Sequence, residues 1–514
     1  MPNRTSAELT RRQLLAGAGA AVTVAAGAAA GFELLRPGKP IRRIHSYGLK
    51  PSGSVRSFHS RPDLRPPTVT VSAADAANAL DRDDPHRFLF LAPGPVSLQT
   101  SQQFGPLIVD RRGEPVWYRS LAPGIEVTNF ASSMYRGEPV LIWWEGKILP
   151  SGYGEGEAVI VDRGYRELAR VRAANGRTID MHAVWLTPQN TAIFTCHPRT
   201  VQMDLSSIGG ARDGQVRESI IQEVDVASGR LLFEWGSLDH IAPSDSYQSL
   251  SSSSLFDYLH VNSISLTPDG NLLVSGRNTW TVYKVDRRSG EVIWRLGGKH
   301  SDFKMGRNTQ FSWQHDATQV TERLLTLFDN GTDGPTQTER ESRGLVLDLH
   351  EPGRSVDVRS AYTNHQPLLS TAMGSVQLLP SGHVVVGWGT ASHTTEFAGD
   401  GTLLLDASLP SGVYSYRGLL LPWRGIPHRP PQATVSRQLH SGAKLVYVSW
   451  DGATEVTDWC VDAGPTADQL QPVAIAKRRG FETVIPLRPK FRFASLTALD
   501  ASGNALGRSD TLKL

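Results

Sequence analysis

One short pattern recurs along this chain and limits its fold more than any other feature. It is a strand ending in Asp, a turn containing Gly, and a second strand that often ends in an aromatic residue. Leu107-Ile108-Val109-Asp110 precedes Gly113-Glu114-Pro115-Val116-Trp117, and Val159-Ile160-Val161-Asp162 precedes Gly164-Tyr165. Glu223-Val224-Asp225 precedes Gly229-Arg230-Leu231-Leu232-Phe233, and Val285-Asp286 precedes Gly290-Glu291-Val292-Ile293-Trp294. The Asp side chain can accept bonds from turn amides while Gly takes the positive φ. Weaker copies stand at Leu379-Pro380-Ser381-Gly382 before Val384-Val385-Val386, and at Gly401 before Leu403-Leu404-Leu405. Recurrence of this kind predicts an all-β chain folded as a propeller or a similar array.

The clearest repeat runs from Tyr258 to Ala317. Apolar residues alternate through Val261–Leu266, Pro268-Asp269-Gly270-Asn271 turns the chain, and Leu272–Arg277 returns. Trp280–Val285 and Glu291–Leu296 complete four short antiparallel strands, which is one propeller blade. Polar residues gather on its first strands and just beyond: His260, Asn262, Arg277 and His315.

These residues carry a resemblance. Asp180-Met181-His182, His260-Val261-Asn262-Ser263, Ser275-Gly276-Arg277 and Gln314-His315-Asp316 stand in the order and context of the bacterial arylsulfotransferase family. The similarity covers roughly residues 88–427. It implies six blades and sulfuryl transfer from an aryl sulfate to a phenolic acceptor without a nucleotide sulfate donor. It also implies a covalent sulfo-histidine, which is here His315. The characterised enterobacterial members carry their extra β-domain at the other end, so their dimer is not carried over.

The chemistry fits those residue types. A neutral imidazole can attack sulfur and split one hard step into two. Arg presents a fork of donors to an oxyanion, and imidazoles and amides add more. By the resemblance, His315 is the expected nucleophile. His182, His260, Asn262 and Arg277 are expected to bind substrate, and Asp316 to orient a nearby ring. Arg343 is a further candidate for the same pocket; a blade-to-blade salt bridge is its plainer reading. His393 and Glu396 are candidates from a late blade. Trp185, Trp280, Trp313 and Trp388 are candidates to wall an aromatic slot, against the commoner use of Trp in packing. Two other functions stay open: metal-assisted hydrolysis on the same propeller, with His182, His260 and His315 as ligands, and a non-enzymatic propeller that binds sugars, peptides or proteins. Arg277 among the histidines favours an anion site over a metal, and no cofactor is expected.

The rest of the 514 residues sets the surroundings. Net charge is +3, with no cluster of Lys and Arg of the kind nucleic acid requires. Two cysteines, Cys196 and Cys460, exclude a disulfide framework and read as buried thiols. Residues 1–35 hold Arg11-Arg12 before an Ala/Gly-rich apolar run, the pattern of a twin-arginine signal for export to the envelope or medium. The rival reading is an uncleaved anchor and membrane association through that segment. Residues 36–85 read as linker and N-terminal extension, with one strand near Val69. Residues 86–430 are the expected propeller. Residues 431–514 are an expected small β-sandwich, with strands at Lys444–Trp450, Phe481–Leu487 and Phe491–Leu499. Donor, acceptor and oligomeric state are not legible.

Overall fold

The repeated strands form six four-stranded antiparallel blades, with the second and third joined into one sheet where Ile179 pairs with Gly156. A computed structural model describes residues 41–50, 53–72, 86–96, 103–250, 255–437, 444–488 and 490–514. The twin-arginine segment lies outside the described residues. Residues 43–514 form one compact unit. Blade 1 is built from Val413–Pro422, Arg87–Pro95, Leu107–Val109 and Pro115–Tyr118, and blade 2 from Glu126–Tyr135, Glu138–Ile148, Gly154–Val161 and Glu167–Val171. Blade 3 is Ile179–Leu186, Thr191–Met203, Gly214–Asp225 and Leu231–Gly236. Blade 4 is Val261–Leu266, Leu272–Gly276, Thr281–Val285 and Val292–Gly297. Blade 5 begins with His315–Gln319, Leu324–Asp329, Arg343–His350 and Ser355–Tyr362, and blade 6 with Ser375–Leu378, Val384–Gly387, His393–Phe397 and Leu403–Ser408.

The first-named strand of each blade touches the first-named strand of the next, and blade 6 returns to blade 1. That ring makes the array a closed six-bladed propeller. The ring is fastened where the late strand Val413–Pro422 pairs with the early strand Arg87–Pro95, for example Leu420 opposite Leu89. Apolar cores fill the gaps between blades. Leu273, Val282 and Trp294 of blade 4 pack with Leu325, Leu327 and Leu345 of blade 5. Each such side chain contributes about 1.5–3 kcal/mol by leaving water.

The Asp turns show why the pattern recurs. Asp110 Oδ1 accepts from the backbone N–H of Arg112 and Glu114, both at 2.9 Å. Asp286 Oδ1 accepts from Arg288 and Ser289 at 2.9 and 2.8 Å. Gly113 and Gly290 take φ of 78° and 82°. The Gly164 turn differs, because the positive φ of 66° falls on Tyr165. Gly164 is required for space: a Cβ there would lie 2.0 Å from His428 Nε2.

After the propeller, two sheets face each other as the small sandwich. Gln432–Arg437, Lys444–Ser449 and Glu482–Leu487 belong to one; Asp458–Gly464, Gln471–Lys477 and Phe493–Leu499 belong to the other. Val446, Trp459, Val461, Ile485 and Leu496 fill the space between them. The early extension supplies edges to both parts. Arg43–Ile44 and Tyr47–Gly48 add to the sandwich sheets, and Thr70–Ser72 adds to the outer strand of blade 6. Cys196 and Cys460 are buried thiols, in blade 3 and in the sandwich.

Candidate active site

The inner strands bend near their first residues. Pairing slips between Thr128 and Ala131, Ile179 and Val184, Val261 and Ser263, His315 and Thr318, and Ser415 and Gly418. A bulge re-aims side chains and frees backbone groups, and bulges gather beside active sites. Left-handed backbone is found at the same places. Asn129, His260, Trp313 and Asp316 have φ of 53°, 53°, 49° and 55°, and Met373, just before the inner strand of blade 6, has 65°. Such conformations cost bulky residues strain that the surrounding fold must outweigh.

Blades 3 and 4 bring two histidines face to face. His182 Nε2 and His260 Nε2 lie 3.2 Å apart. Behind each ring stands a carboxylate: Asp180 Oδ2 is 2.5 Å from His182 Nδ1, and Asp257 Oδ2 is 2.8 Å from His260 Nδ1. Asp257 also accepts from the Tyr153 hydroxyl at 2.8 Å, and Asp180 from the Gly154 N–H at 2.6 Å. Burial lowers the His260 imidazole below its usual value, against the pull of Asp257; the charges of His182 and Arg277 lower it further.

Blade 5 holds His315 differently. Its Nδ1 lies 2.7 Å from Asn330 Oδ1 and 3.0 Å from the Trp313 carbonyl, so that nitrogen carries the proton. Its Nε2 accepts from the Met373 N–H at 3.1 Å. Burial, and then the charge of Arg277, push His315 well below its usual value. The ring is neutral at pH 7. Arg277, from the end of the second strand of blade 4, donates to Asn278 Oδ1 at 3.0 Å and to the Thr371 carbonyl at 3.3 Å. Among the described residues no carboxylate pairs with it.

The fold therefore brings His182, His260, Arg277 and His315 together at the inner strands of blades 3 to 5. Other expected residues are placed elsewhere or committed. Asn262 donates Nδ2 to the Gln314 carbonyl at 2.7 Å, while its Oδ1 is buried without a partner. One N–H of its amide thus fixes the backbone before His315. Arg343 is held by Asp329 at 2.9 Å and Glu339 at 3.0 Å, a salt bridge within blade 5 rather than between blades. Asp316 faces no histidine; its Oδ1 is 2.7 Å from Arg417 Nε, and its Oδ2 accepts from the Val376 N–H. His393 is paired with Asp406, and Glu396 with Arg111 and His383, on the third strand of blade 6 rather than in the channel.

The tryptophans divide. Trp388 is fully buried, bonded to Thr395 and edge-on to Phe328, and so packs blade 6 on blade 5. Trp280 and Trp313 meet edge to face at 4.8 Å, and Tyr247 stacks on Trp280 at 3.9 Å. Trp185 lies under Arg417 at 5.3 Å. The imidazoles do not converge as a metal centre. His182 and His260 point their Nε2 atoms at each other, and both His315 nitrogens are bonded elsewhere. Among the described residues, no group of three or more His, Cys, Asp or Glu is arranged to hold a metal ion.

Asp257, Tyr153, Asn330 and the Met373 backbone had no warning in the motifs. Asp257 stands three residues before His260, a spacing that could have drawn notice. Asn330 comes from the end of the neighbouring strand, and only the blade's pairing brings it to His315.

The geometry can now be set beside known proteins. No curated protein matches the chain. Among solved structures, a protein of unknown function from Bacteroides caccae is 13% identical over 65% of this chain and 98% of its own, with TM-score 0.40. A protein from Lactobacillus plantarum is 14% identical over 83% and 97%, with TM-score 0.35. A streptogramin B lyase is 10% identical over 70% and 94%, with TM-score 0.32. Likenesses this remote carry no argument about function. The model of the arylsulfotransferase (ASST) family matches residues 132–409, which is more than half of the chain and spans blades 2 to 6 with the four grouped residues. The chain belongs to the arylsulfotransferase family.

Proposed function

We propose that this protein moves a sulfuryl group from a phenolic sulfate ester to a phenolic acceptor, without a nucleotide sulfate donor, through an N-sulfonated His315. The supporting observation is a buried neutral imidazole beside a guanidinium that, among the described residues, forms no ion pair with a carboxylate. Arg277 is fixed in advance and ready for the sulfuryl oxygens, and such donors stabilise transition-state charge better than reorganising water does. Asn330 holds the proton on Nδ1, so the Nε2 lone pair is the one that attacks.

In the resting site the Met373 N–H occupies that lone pair. The donor's sulfuryl group takes its place, and the freed N–H becomes one more donor to a sulfuryl oxygen. The N–S bond then forms as the bond from sulfur to the aryl oxygen breaks, and the phenolate leaves with the electron pair. An acceptor phenol reverses these steps once its hydroxyl proton has passed to another histidine of the site. The twin arginines support export of the folded protein; unchanged extracytoplasmic amounts of the Arg11→Lys, Arg12→Lys double variant would remove that reading.

Mass spectrometry tests the central step. Mixed with 4-nitrophenyl sulfate and no acceptor, the protein gains one sulfuryl mass on the peptide that holds His315, and loses it when a phenol is added. An adduct on another histidine would overturn the assignment. No adduct within one turnover, with His315→Ala still active, would end the covalent scheme.

A further inference from the structure

The contact between His182 and His260 poses a problem in proton counting. Bonds from the two rings hold the Asp180 and Asp257 carboxylates below their usual range, although burial alone would raise both. Both are therefore ionised and can only accept. Each facing Nδ1, at 2.5 and 2.8 Å, must carry a hydrogen. Turning either ring over would put a C–H against a carboxylate and lose that bond. The Nε2 atoms then meet at 3.2 Å with no hydrogen between them, unless one is added. Two bare lone pairs at that distance repel, whereas one proton makes an N–H···N bond.

We propose that His182 and His260 share a single proton between their Nε2 atoms, and that this proton passes to the departing phenolate and returns from the acceptor phenol. The second half of this statement rests on the transfer reaction proposed above. In the first half-reaction His315 Nε2 bonds to sulfur, the bond from sulfur to the aryl oxygen breaks, and the shared proton moves to that oxygen. A phenol leaves and both rings are neutral. In the second, the acceptor's hydroxyl proton moves to one Nε2 as its oxygen attacks sulfur, and the N–S electron pair returns to His315. The proton count closes over the cycle.

The groups facing the pair fit one shared charge. Asp180 and Asp257 together carry two negative charges. Arg217 Nη1 lies 3.8 Å from Asp257 and Arg277 acts on His260 from blade 4, so two positive charges oppose them. Tyr153 and Tyr416 face the rings as neutral phenols, held so by burial. His197 flanks Tyr153, and His315 stays neutral. A second proton on the pair would put two imidazoliums in contact. Asp180 and Asp257 are positioning residues here: each fixes a tautomer and aims an Nε2.

Two measurements test this with the full-length protein. The first is NMR of protein carrying ¹⁵N-histidine, with no donor present. A strongly downfield proton coupled to Nε2 is expected at neutral pH, and it should vanish in both His182→Gln and Asp257→Asn. Two unprotonated Nε2 signals from this pair in wild-type protein would overturn the shared proton, whether or not the protein transfers anything. The second compares 4-nitrophenyl sulfate, whose phenolate leaves unaided, with phenyl sulfate, whose phenolate needs a proton. His260→Gln should lose about a hundredfold more turnover with phenyl sulfate than with 4-nitrophenyl sulfate. Equal losses would overturn the proton donor. Wild-type protein inactive with both donors would instead overturn the transfer reaction, leaving the NMR result to decide the pair.

Discussion

His182 and His260 rest Nδ1 on carboxylates, whereas His315 rests Nδ1 on the side-chain amide of Asn330. His182 and His315 are buried and His260 is nearly so, and burial disfavours the charged form of His260 and His315. What separates them is the group behind the ring. A carboxylate draws a proton onto the imidazole beyond it, so that pair can store one. A neutral amide fixes the tautomer and leaves the far nitrogen basic and free of charge. In the reaction proposed above, the same residue type serves as proton carrier on blades 3 and 4 and as nucleophile on blade 5. Of the groups that make the difference, Asp180 stands in a histidine motif, while Asp257 and Asn330 do not.

Removing the nucleophile is the strongest way to test this contrast. His315→Ala is expected to lower turnover by about three orders of magnitude or more and to abolish both the adduct and the burst of phenol, read by rapid quench. Arg277→Ala is next. Losing a donor to transition-state oxygens costs about 2.7–4 kcal/mol, or roughly two to three orders of magnitude in turnover. Near-normal turnover would remove Arg277 from the site.

Asn330→Asp turns one kind of histidine into the other. The new carboxylate should raise the His315 pKa by about one to three units. Transfer needs the neutral ring, and the wild-type ring is held well below its usual value of 6.5, so the wild-type acid limb lies below pH 6.5. In the variant that limb moves up. On the acid side of the wild-type limb turnover should fall roughly tenfold or more, and the loss should disappear as pH rises toward 9. A uniform loss at every pH would mean that Asn330 only supports the local structure.

The sequence showed these parts unevenly. Period-two strands and Asp turns repeat locally, so the blade Val261–Gly297 was legible almost to the residue. The four grouped side chains were singled out by the resemblance, through the motifs that hold them; His260, Arg277 and His315 also sit at or beside a strand end, while His182 lies inside Ile179–Leu186. The partners that hold Asn262 and Arg343 were not legible. Which atoms a side chain spends on its own backbone, or on Asp329, depends on pairing across strands and not on local order. Asn330 and Met373 reach His315 from later in the chain, across 15 and 58 residues, and only the closed ring brings them there. Trp388 shows the limit for large apolar residues: a slot wall and a packed core have the same local pattern.

The smallest expected effect on transfer comes from Arg343, and it bears on the same contrast. Asp329 is Asn330's neighbour in the chain, yet His315 lacks a carboxylate partner because Asp329 turns to Arg343 and accepts from the Ser312 N–H at 3.0 Å. Burial raises the Asp329 carboxyl to about 6, with Arg343 opposing. Arg343→Met leaves that carboxylate buried without its partner, which costs about 3 kcal/mol of stability at neutral pH. The sign follows from the shift. A carboxyl raised in the folded state stabilises the fold when protonated, so its contribution is fully present below its unfolded value of 3.8 and is lost as pH rises through about 6. Losing the arginine raises the folded value further. The variant should therefore melt well below wild type at pH 8, and the gap should shrink as pH falls toward 5. Its turnover at pH 7, measured at a temperature where it is folded, should stay within about threefold of wild type, since no atom of Arg343 touches the four grouped residues. A melting gap that ignores pH would assign Arg343 to packing alone. A large loss of turnover would return it to the substrate pocket.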